Sequence, residues 1–246
     1  MRTTRLYIPD TIDADAIGNN TVVALSPDDS RYLTKVMRYT EGDKVELFNG
    51  DGNNYQASIV SVGKSTKLKV ETAEPNLTES PVSITLVQAL AKGTKLDLIV
   101  QKATELGVCR ITPVSSERTV LQVDEKRAQK KADHWKKIAQ SACAQCNRST
   151  VPVIDKVIPL GQWLERHHDE YSLLIHPGAE QTFKDLTPVP TLNLLVGPEG
   201  GFSSNELKLT AEAGVGQILC GPRTLRTETA GFAAIAIIQS LIGDMS

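Results

Sequence analysis

The sequence has few aromatic residues and no excess of basic ones. Aromatic side chains make up 4% of its 246 residues, and 27 lysines and arginines stand against 29 acidic residues, for a net charge of −2. A chain with this balance does not attract nucleic acid through its overall field, so any contact with RNA depends on local basic patches. The small number of rings leaves base stacking as a minor contribution.

Cysteines and long apolar runs are also scarce. Four cysteines are too few for a disulfide framework, which favours a cytoplasmic protein. Cys143 and Cys146 form a CxxC pair, but the segment is typical of a helix and no second CxxC or histidine pair accompanies it. We therefore favour structural cysteines over a redox or zinc site and predict no metal. No apolar run reaches the roughly 18 residues of a membrane span, so we expect no membrane partner.

The pattern of the chain changes near residue 75. Residues 1–75 contain short alternating runs, two of them joined by the turn signal Asn49-Gly50-Asp51-Gly52, which predicts a small β-barrel with one helix after Ser26. Residues 76–81 are polar and bracketed by prolines, as in a linker. Over residues 82–246, apolar strands alternate with helices, so we predict an α/β domain with a mostly parallel sheet and helices on both faces.

Three predicted strands of this domain end in loops rich in glycine and proline. Ligands of an open parallel sheet bind beyond the carboxyl ends of the strands, and glycines let backbone groups approach them closely. Each loop alone fits an ordinary strand-to-helix turn, but three successive loops favour a pocket suited to an adenine and a ribose. The residues expected to bind a cofactor there are Ile175, His176, Leu195, Gly197, Pro198, Glu199, Gly200, Gly201, Leu219, Cys220, Gly221, Leu225, Arg226 and Thr227.

The densest polar cluster is LRTETAG, residues 225–231, at the start of the last predicted helix. Its threonines and Glu228 also fit capping roles, which is the structural alternative to a functional one. Arg226 does not fit that alternative, because a cation is disfavoured at a helix N-terminus. We therefore expect Arg226 to meet an anionic group of a ligand.

Four segments carry a family resemblance: KATELGV (102–108), SSERT (115–119), LLVGPEGGFSSNE (194–206) and LCGPRTLRTETA (219–230). With these motifs in this order, the sequence closely resembles the RsmE family of bacterial 16S ribosomal RNA methyltransferases, which belongs to the SPOUT superfamily. The resemblance covers nearly the whole chain, including an early YLTKVMR segment (32–38).

This resemblance implies a fold, a cofactor and partners. The C-terminal domain would be a SPOUT domain with a trefoil knot that binds S-adenosylmethionine, and the N-terminal domain would be a PUA-like barrel that helps to hold RNA. The enzyme would be a homodimer with pockets at the subunit interface. Its substrate would be 16S ribosomal RNA, and the product would carry a methyl group on N3 of one uridine. We expect this RNA to be within a ribosomal particle, and naked RNA is the alternative that the sequence leaves open.

Methylation at this atom requires the site to remove or delocalise the proton on uracil N3. An arginine stabilises the developing anion electrostatically, and we expect Arg226 first and Arg118 second in this role. Glu228 is expected to orient an arginine or to accept the proton. Basic residues of both domains are expected to contact RNA, namely Arg2, Arg5, Lys35, Arg38 and Arg148.

Two other classes of function predict different sequences. A non-catalytic RNA-binding ribosome assembly factor would have eroded glycine loops, whereas all three loops are intact here. A dinucleotide oxidoreductase would show GxGxxG after the first strand of the sheet, but residues 91–94 read Ala-Lys-Gly-Thr.

Overall fold

The computed structural model describes residues 3–12, 17, 21–118 and 125–245. The chain forms two compact units. The first contains Met1–Glu79 and Cys143–Val151, and the second contains Ser80–Ala142 and Pro152–Ser246. The predicted linker spans the division at Glu79, but the sequence pattern does not indicate that Cys143–Val151 belongs to the first unit.

The first unit is built on a five-stranded sheet. Its strands are β1 (Arg5–Tyr7), β2 (Val22–Ala24), β3 (Lys44–Phe48), β4 (Asn53–Ser61) and β5 (Lys67–Pro75), and their spatial order is β1-β3-β4-β5-β2. β1 runs parallel to β3, and the other neighbours are antiparallel. In the turn between β3 and β4, Gly50 and Gly52 have φ angles of 99° and 90°, which glycine adopts without strain.

A short helix covers the core of this unit. Helix α1 (Pro27–Arg31) begins after Ser26, whose hydroxyl accepts a hydrogen bond from the backbone N–H of Asp29 at 3.1 Å. A π-helical turn (Tyr32–Val36) follows directly, and its Leu33 is fully buried. Leu33 packs among alternate side chains of the strands, as expected for a sheet with one buried face. These are Val45, Leu47, Tyr55, Ala57, Ile59, Leu68 and Val70.

The second unit contains a parallel sheet, as predicted. Its strands are β6 (Ser83–Ala89), β7 (Arg110–Ser115), β8 (Val153–Ile154), β9 (Ile158–Pro159), β10 (Ser172–Ile175), β11 (Thr191–Val196) and β12 (Gly216–Ile218). Their order is β12-β10-β11-β6-β7-β8, with β9 also paired to β7, and all these pairs are parallel. The carboxyl ends of β12, β10 and β11 therefore meet at one edge.

Five helices belong to or cross into this unit: α2 (Lys95–Glu105), α3 (Glu125–Cys146), α4 (Leu160–Arg166), α5 (Ser204–Glu212) and α6 (Thr227–Ile242). On one face of the sheet, Val87 and Leu195 share an apolar cluster with Trp163 of α4. On the other face, Gln88 contacts the first residue of α6, which packs against α2. Helices on both faces are therefore confirmed.

Two helices of the second unit begin where the sequence indicates. The sequence Ser203-Ser204-Asn205-Glu206 predicts a capping box at the start of a helix, and this box is present before α5. The backbone N–H of Ser203 donates to the Glu206 carboxylate at 2.8 Å, and the backbone N–H of Glu206 donates to the Ser203 hydroxyl at 3.1 Å. Helix α6 begins at Thr227, within the LRTETAG segment that the sequence predicts at its start. Along the described part of the chain, no helix has both the length and the apolar character of a membrane span.

The CxxC pair lies in the last turn of α3. Cys143 is fully buried, and its thiol donates to the carbonyl oxygen of Thr150 at 3.6 Å. Burial raises the pKa of the Cys143 thiol to about 12. A thiol that stays neutral is a poor nucleophile and a poor metal ligand, so the structural interpretation of this cysteine fits its surroundings.

Candidate active site

The three glycine-containing loops converge at the edge where β10, β11 and β12 end. The first loop (176–178) follows β10, the second (197–201) follows β11, and the third (219–227) follows β12. Together they line a cavity of about 550 Å³, within the range of small-molecule sites. The lining residues are Lys95, Ile175, His176, Pro177, Val196, Gly197, Pro198, Glu199, Gly200, Gly201, Leu219, Cys220, Gly221, Arg223, Thr224, Leu225, Arg226, Thr227 and Ala230. The pattern of strand ends in the sequence thus located a real cavity.

One of the residues predicted for this pocket does not line it. Leu195 is fully buried, and its side chain packs with Trp163 and Phe202 in the apolar core. Val196 lines the cavity instead. Successive side chains of a strand point to opposite faces of the sheet. A prediction that is wrong by one residue along the strand therefore names a side chain on the opposite face.

Backbone groups face the cavity where glycine is required. Gly201 and Gly221 have φ angles of 66° and 77°, in the left-handed region. A Cβ built on either glycine would meet no atom within 4 Å, so both positions border open space. At these two positions the loops therefore present main chain to the open space.

An acidic residue of the second loop is held by a lysine that the sequence analysis missed. The Nζ of Lys95, at the start of α2, lies 2.8 Å from Oε1 of Glu199 and 3.6 Å from Oε2 of Glu228. The hydrogen bond from Lys95 lowers the pKa of Glu199, so this carboxylate is ionised at neutral pH. Because β6 neighbours β11, the loop after β6 brings Lys95 to the same edge. The local sequence around Lys95 does not indicate a role at the cavity, and only the order of the strands in the sheet does.

The predicted role of Glu228 as a group that orients an arginine is not what the structure shows. Glu228 does not line the cavity, its side chain is 13% exposed, and its charged neighbour is Lys95. Its Oε2 is buried and accepts no hydrogen bond from the described residues.

Family models match both parts of the chain. A model described as an RNA methyltransferase domain matches residues 78–239, and one described as an RNA methyltransferase PUA domain matches residues 25–71. A relative from Buchnera aphidicola subsp. Acyrthosiphon pisum, named Ribosomal RNA small subunit methyltransferase E, is 35% identical over 98% of this chain and 94% of its own. A Bacillus subtilis protein of the same name is 34% identical over 88% of this chain and 89% of its own.

The chain belongs to the ribosomal RNA small subunit methyltransferase E family. Solved structures agree with this assignment. A family member from Neisseria gonorrhoeae bound to S-adenosylmethionine is 32% identical and has a TM-score of 0.90 over the whole of both chains. A methyltransferase structure from Legionella pneumophila in complex with S-adenosylmethionine is 35% identical, with a TM-score of 0.92 over 99% of this chain and all of the other. The expected SPOUT domain and PUA-like domain are confirmed.

In this methyltransferase, Arg226 is a cation at the cavity that has no partner among the described residues. It precedes the first residue of α6, lines the cavity and is exposed to solvent. Its guanidinium makes no hydrogen bond or ion pair with any described residue. The nearby Arg223 also lines the cavity. Arg223 and Arg226 thus add two positive charges to that of Lys95 at the site, and Arg226 stands at a helix N-terminus that disfavours it.

Arg118 and His176 are tied to the loops themselves. The Arg118 guanidinium donates to the carbonyl oxygen of Gly200, and its side chain lies beside the second loop without lining the cavity. The Nδ1 of His176 accepts a hydrogen bond from the backbone N–H of Gly178 at 3.1 Å. His176 therefore shapes the first loop, and its Nδ1 is not available as a base.

Two of the expected RNA contacts are wrong, because both side chains are buried inside the first unit. Arg5 is 5% exposed in its side chain and donates to the carbonyl oxygens of residues 143 and 148, at 2.9 and 2.8 Å, and to Glu46. Arg148 is 4% exposed in its side chain and lies 2.6 Å from the Glu79 carboxylate. Neither guanidinium can reach a phosphate. Their spacing in the sequence could not show this, since both partners are distant along the chain.

The remaining RNA candidates differ in position. Lys35 and Arg38 are exposed on and just after the π-helical turn, next to the exposed side chains of Tyr32 and Val36. Arg2 lies outside the described residues. Of the residues expected to contact RNA, Lys35 and Arg38 are therefore the two that the structure leaves open to a phosphate backbone.

Proposed function

We propose that this protein uses S-adenosylmethionine to methylate N3 of one uridine in 16S ribosomal RNA, acting in the cytoplasm on a ribosomal particle. The observation that carries the proposal is a cavity lined by glycine loops, with Arg226 at its edge and no described residue paired to that arginine. The names of the relatives support ribosomal RNA of the small subunit as the substrate. The ligand of the solved family structures supports the cofactor.

The cavity fits this cofactor by its chemistry. Bound there, S-adenosylmethionine supplies an electrophilic methyl group on a sulfonium. The main chain of residues 197–201 and 219–221, which line the cavity, offers N–H and C=O groups to the adenosine. Lys95 and Glu199 provide charges of both signs, and the amino acid end of the cofactor has both. The open space beyond Gly201 and Gly221 leaves room for a close approach.

The catalytic task of the chain is to stabilise a uracil that loses its N3 proton. A guanidinium lowers the free energy of the anion, and the Arg226 side chain lies free to do so. Arg118 is the second candidate, held beside the cavity by the Gly200 carbonyl. Of the two carboxylates near Lys95, Glu199 lines the cavity whereas Glu228 is set back from it, so by position we propose Glu199 in place of Glu228 as the proton acceptor.

A homodimer is part of the proposal. Helix α6 keeps Phe232, Ala236 and Ile237 partly exposed, and Leu241 is 53% exposed. A largely apolar helix of this kind is stabilised by a second covering surface. A second copy of the chain would provide that surface. Light scattering at micromolar concentration should give twice the 26.7 kDa of the chain, and the chain mass itself would remove the dimer from the proposal.

The decisive experiment combines gene deletion with mass-spectrometric mapping of 16S rRNA. Loss of one methyl group from N3 of a single uridine supports the proposal. Its return upon incubation with purified protein, S-adenosylmethionine and either naked rRNA or small subunits identifies the substrate. A complete methylation map in the deletion strain would contradict the proposal and favour a non-catalytic assembly factor.

A further inference from the structure

A fully buried glutamine lies directly beneath the cavity. Gln88 stands next to the last residue of β6, and its side chain faces α6 rather than the apolar cluster under α4. Its Nε2 donates to the Thr227 hydroxyl at 3.0 Å and to the carbonyl oxygen of Ala89 at 3.1 Å. Its Oε1 is buried and has no hydrogen-bond partner among the described residues.

The Thr227 hydroxyl in turn forms a hydrogen bond with the second loop. It donates to the carbonyl oxygen of Gly197 at 2.6 Å. A hydroxyl has one proton, and since that proton is given to Gly197, its lone pair is left for the amide of Gln88. The direction of both hydrogen bonds is therefore fixed, from Gln88 through Thr227 to Gly197.

This hydrogen-bonded relay, from Gln88 through Thr227 to Gly197, connects the start of the second loop with the end of the third loop. Gly197 opens the second loop, and Thr227 closes the third loop as the first residue of α6. Both of these residues line the cavity. The position of the Thr227 hydroxyl thus sets the distance between the two loops, and Gln88 sets the orientation of that hydroxyl.

Fold stability does not account for this glutamine. An amide with an unpaired carbonyl in an apolar interior is less favourable than an apolar side chain of the same length, because the desolvation of the carbonyl is not compensated. The neighbouring strand positions Leu86 and Val87 are apolar and fully buried. A polar residue at position 88 therefore points to a task at the adjoining cavity.

We infer that Gln88 is a positioning residue, which acts through Thr227 to hold the second and third loops at the spacing that cofactor binding requires. The inference rests on the proposed binding of S-adenosylmethionine in this cavity. It concerns binding rather than the reacting atoms, so a change should appear in affinity and KM more than in kcat.

The test compares Gln88→Met, Thr227→Val and Thr227→Ser by calorimetry with S-adenosylmethionine, by steady-state kinetics and by thermal unfolding. Methionine matches the length of glutamine without its hydrogen bonds. We expect Gln88→Met and Thr227→Val to weaken cofactor binding at least tenfold and to raise KM, with a nearly unchanged melting temperature for Gln88→Met. Thr227→Ser keeps the hydroxyl and should bind within twofold of the wild type. The double variant Gln88→Met with Thr227→Val should bind no more weakly than Thr227→Val, because both changes break one relay.

Gln239→Met is the matched control. Gln239 is another fully buried glutamine, in the last turn of α6, and it contacts Leu106 and Ser80 rather than the loops. At twelve residues from Thr227, it lies about 18 Å along the helix from the cavity. Its replacement should lower the melting temperature and leave cofactor affinity unchanged.

The outcomes separate the inference from the function on which it rests. If the wild-type protein does not bind S-adenosylmethionine, the proposed function fails. If the wild type binds and Gln88→Met binds equally well, the positioning role is overturned. The same holds if Thr227→Ser is as weak as Thr227→Val, or if affinity falls only in step with the melting temperature, as a purely structural role would require.

Discussion

Replacing Arg226 by alanine should separate catalysis from stability. The side chain is exposed, gives α6 no capping hydrogen bond and has no partner among the described residues. It also places a positive charge at the N-terminus of a helix, where a cation is unfavourable by about 0.3–1 kcal/mol. We therefore expect the free energy of unfolding of Arg226→Ala to equal that of the wild type or to exceed it by up to this amount.

The rate of methyl transfer by Arg226→Ala should fall strongly, although its stability should be unchanged or slightly higher. A preorganised donor to a charge that develops in the transition state contributes about 10²–10³ in rate, or about 2.7–4 kcal/mol. The assay is single-turnover transfer of labelled methyl from S-adenosylmethionine to small ribosomal subunits that lack the modification. Calorimetry with the cofactor alone should show a much smaller loss than the rate does.

Lys208→Ala provides the control for the removal of one positive charge. Lys208 lies on α5, is 76% exposed in its side chain and pairs with Glu212 at 3.7 Å. It should methylate at the wild-type rate. A rate for Arg226→Ala within threefold of the wild type would refute the role of Arg226 in stabilising the anion. A fall in stability equal to the fall in activity would refute the reasoning from its exposure.

Two further predictions concern the first unit. Arg5→Ala should lower the free energy of unfolding, measured in urea, by about 3–5 kcal/mol, because it leaves Glu46 and two backbone carbonyls without their buried cation. The control Lys35→Ala should change this free energy by no more than about 0.5 kcal/mol. If Arg5→Ala has normal stability but loses RNA affinity, Arg5 belongs to the RNA surface after all. The pKa of Cys143 is raised from 9.0 to about 12, so its neutral thiol contributes stability in full below pH 9, and this is lost between pH 9 and 12 at up to about 1.4 kcal/mol per pH unit. Unfolding measured from pH 8 to 11 should show a flatter decline for Cys143→Ala than for the wild type, and equal slopes would contradict the assignment.

Much of this protein follows from local signals in the sequence. Alternating strands and helices predict the parallel sheet, and the capping box at Ser203 predicts the start of α5, because both depend on residues within one or two turns. The glycine loops at the ends of β10, β11 and β12 locate the cavity for the same reason. Parallel strands bring their carboxyl ends to one edge, where ligands of such sheets bind.

The identity of several functional residues was decided only by the tertiary structure. Arg5 and Arg148 look like surface cations in the sequence, yet their partners Glu46 and Glu79 lie 41 and 69 residues away and meet them only in the folded unit. In the sequence, Lys95 lies at the start of an ordinary helix and Gln88 lies inside a strand. They reach the cavity because β6 pairs with β11, and strand order depends on packing between distant segments rather than on any local pattern.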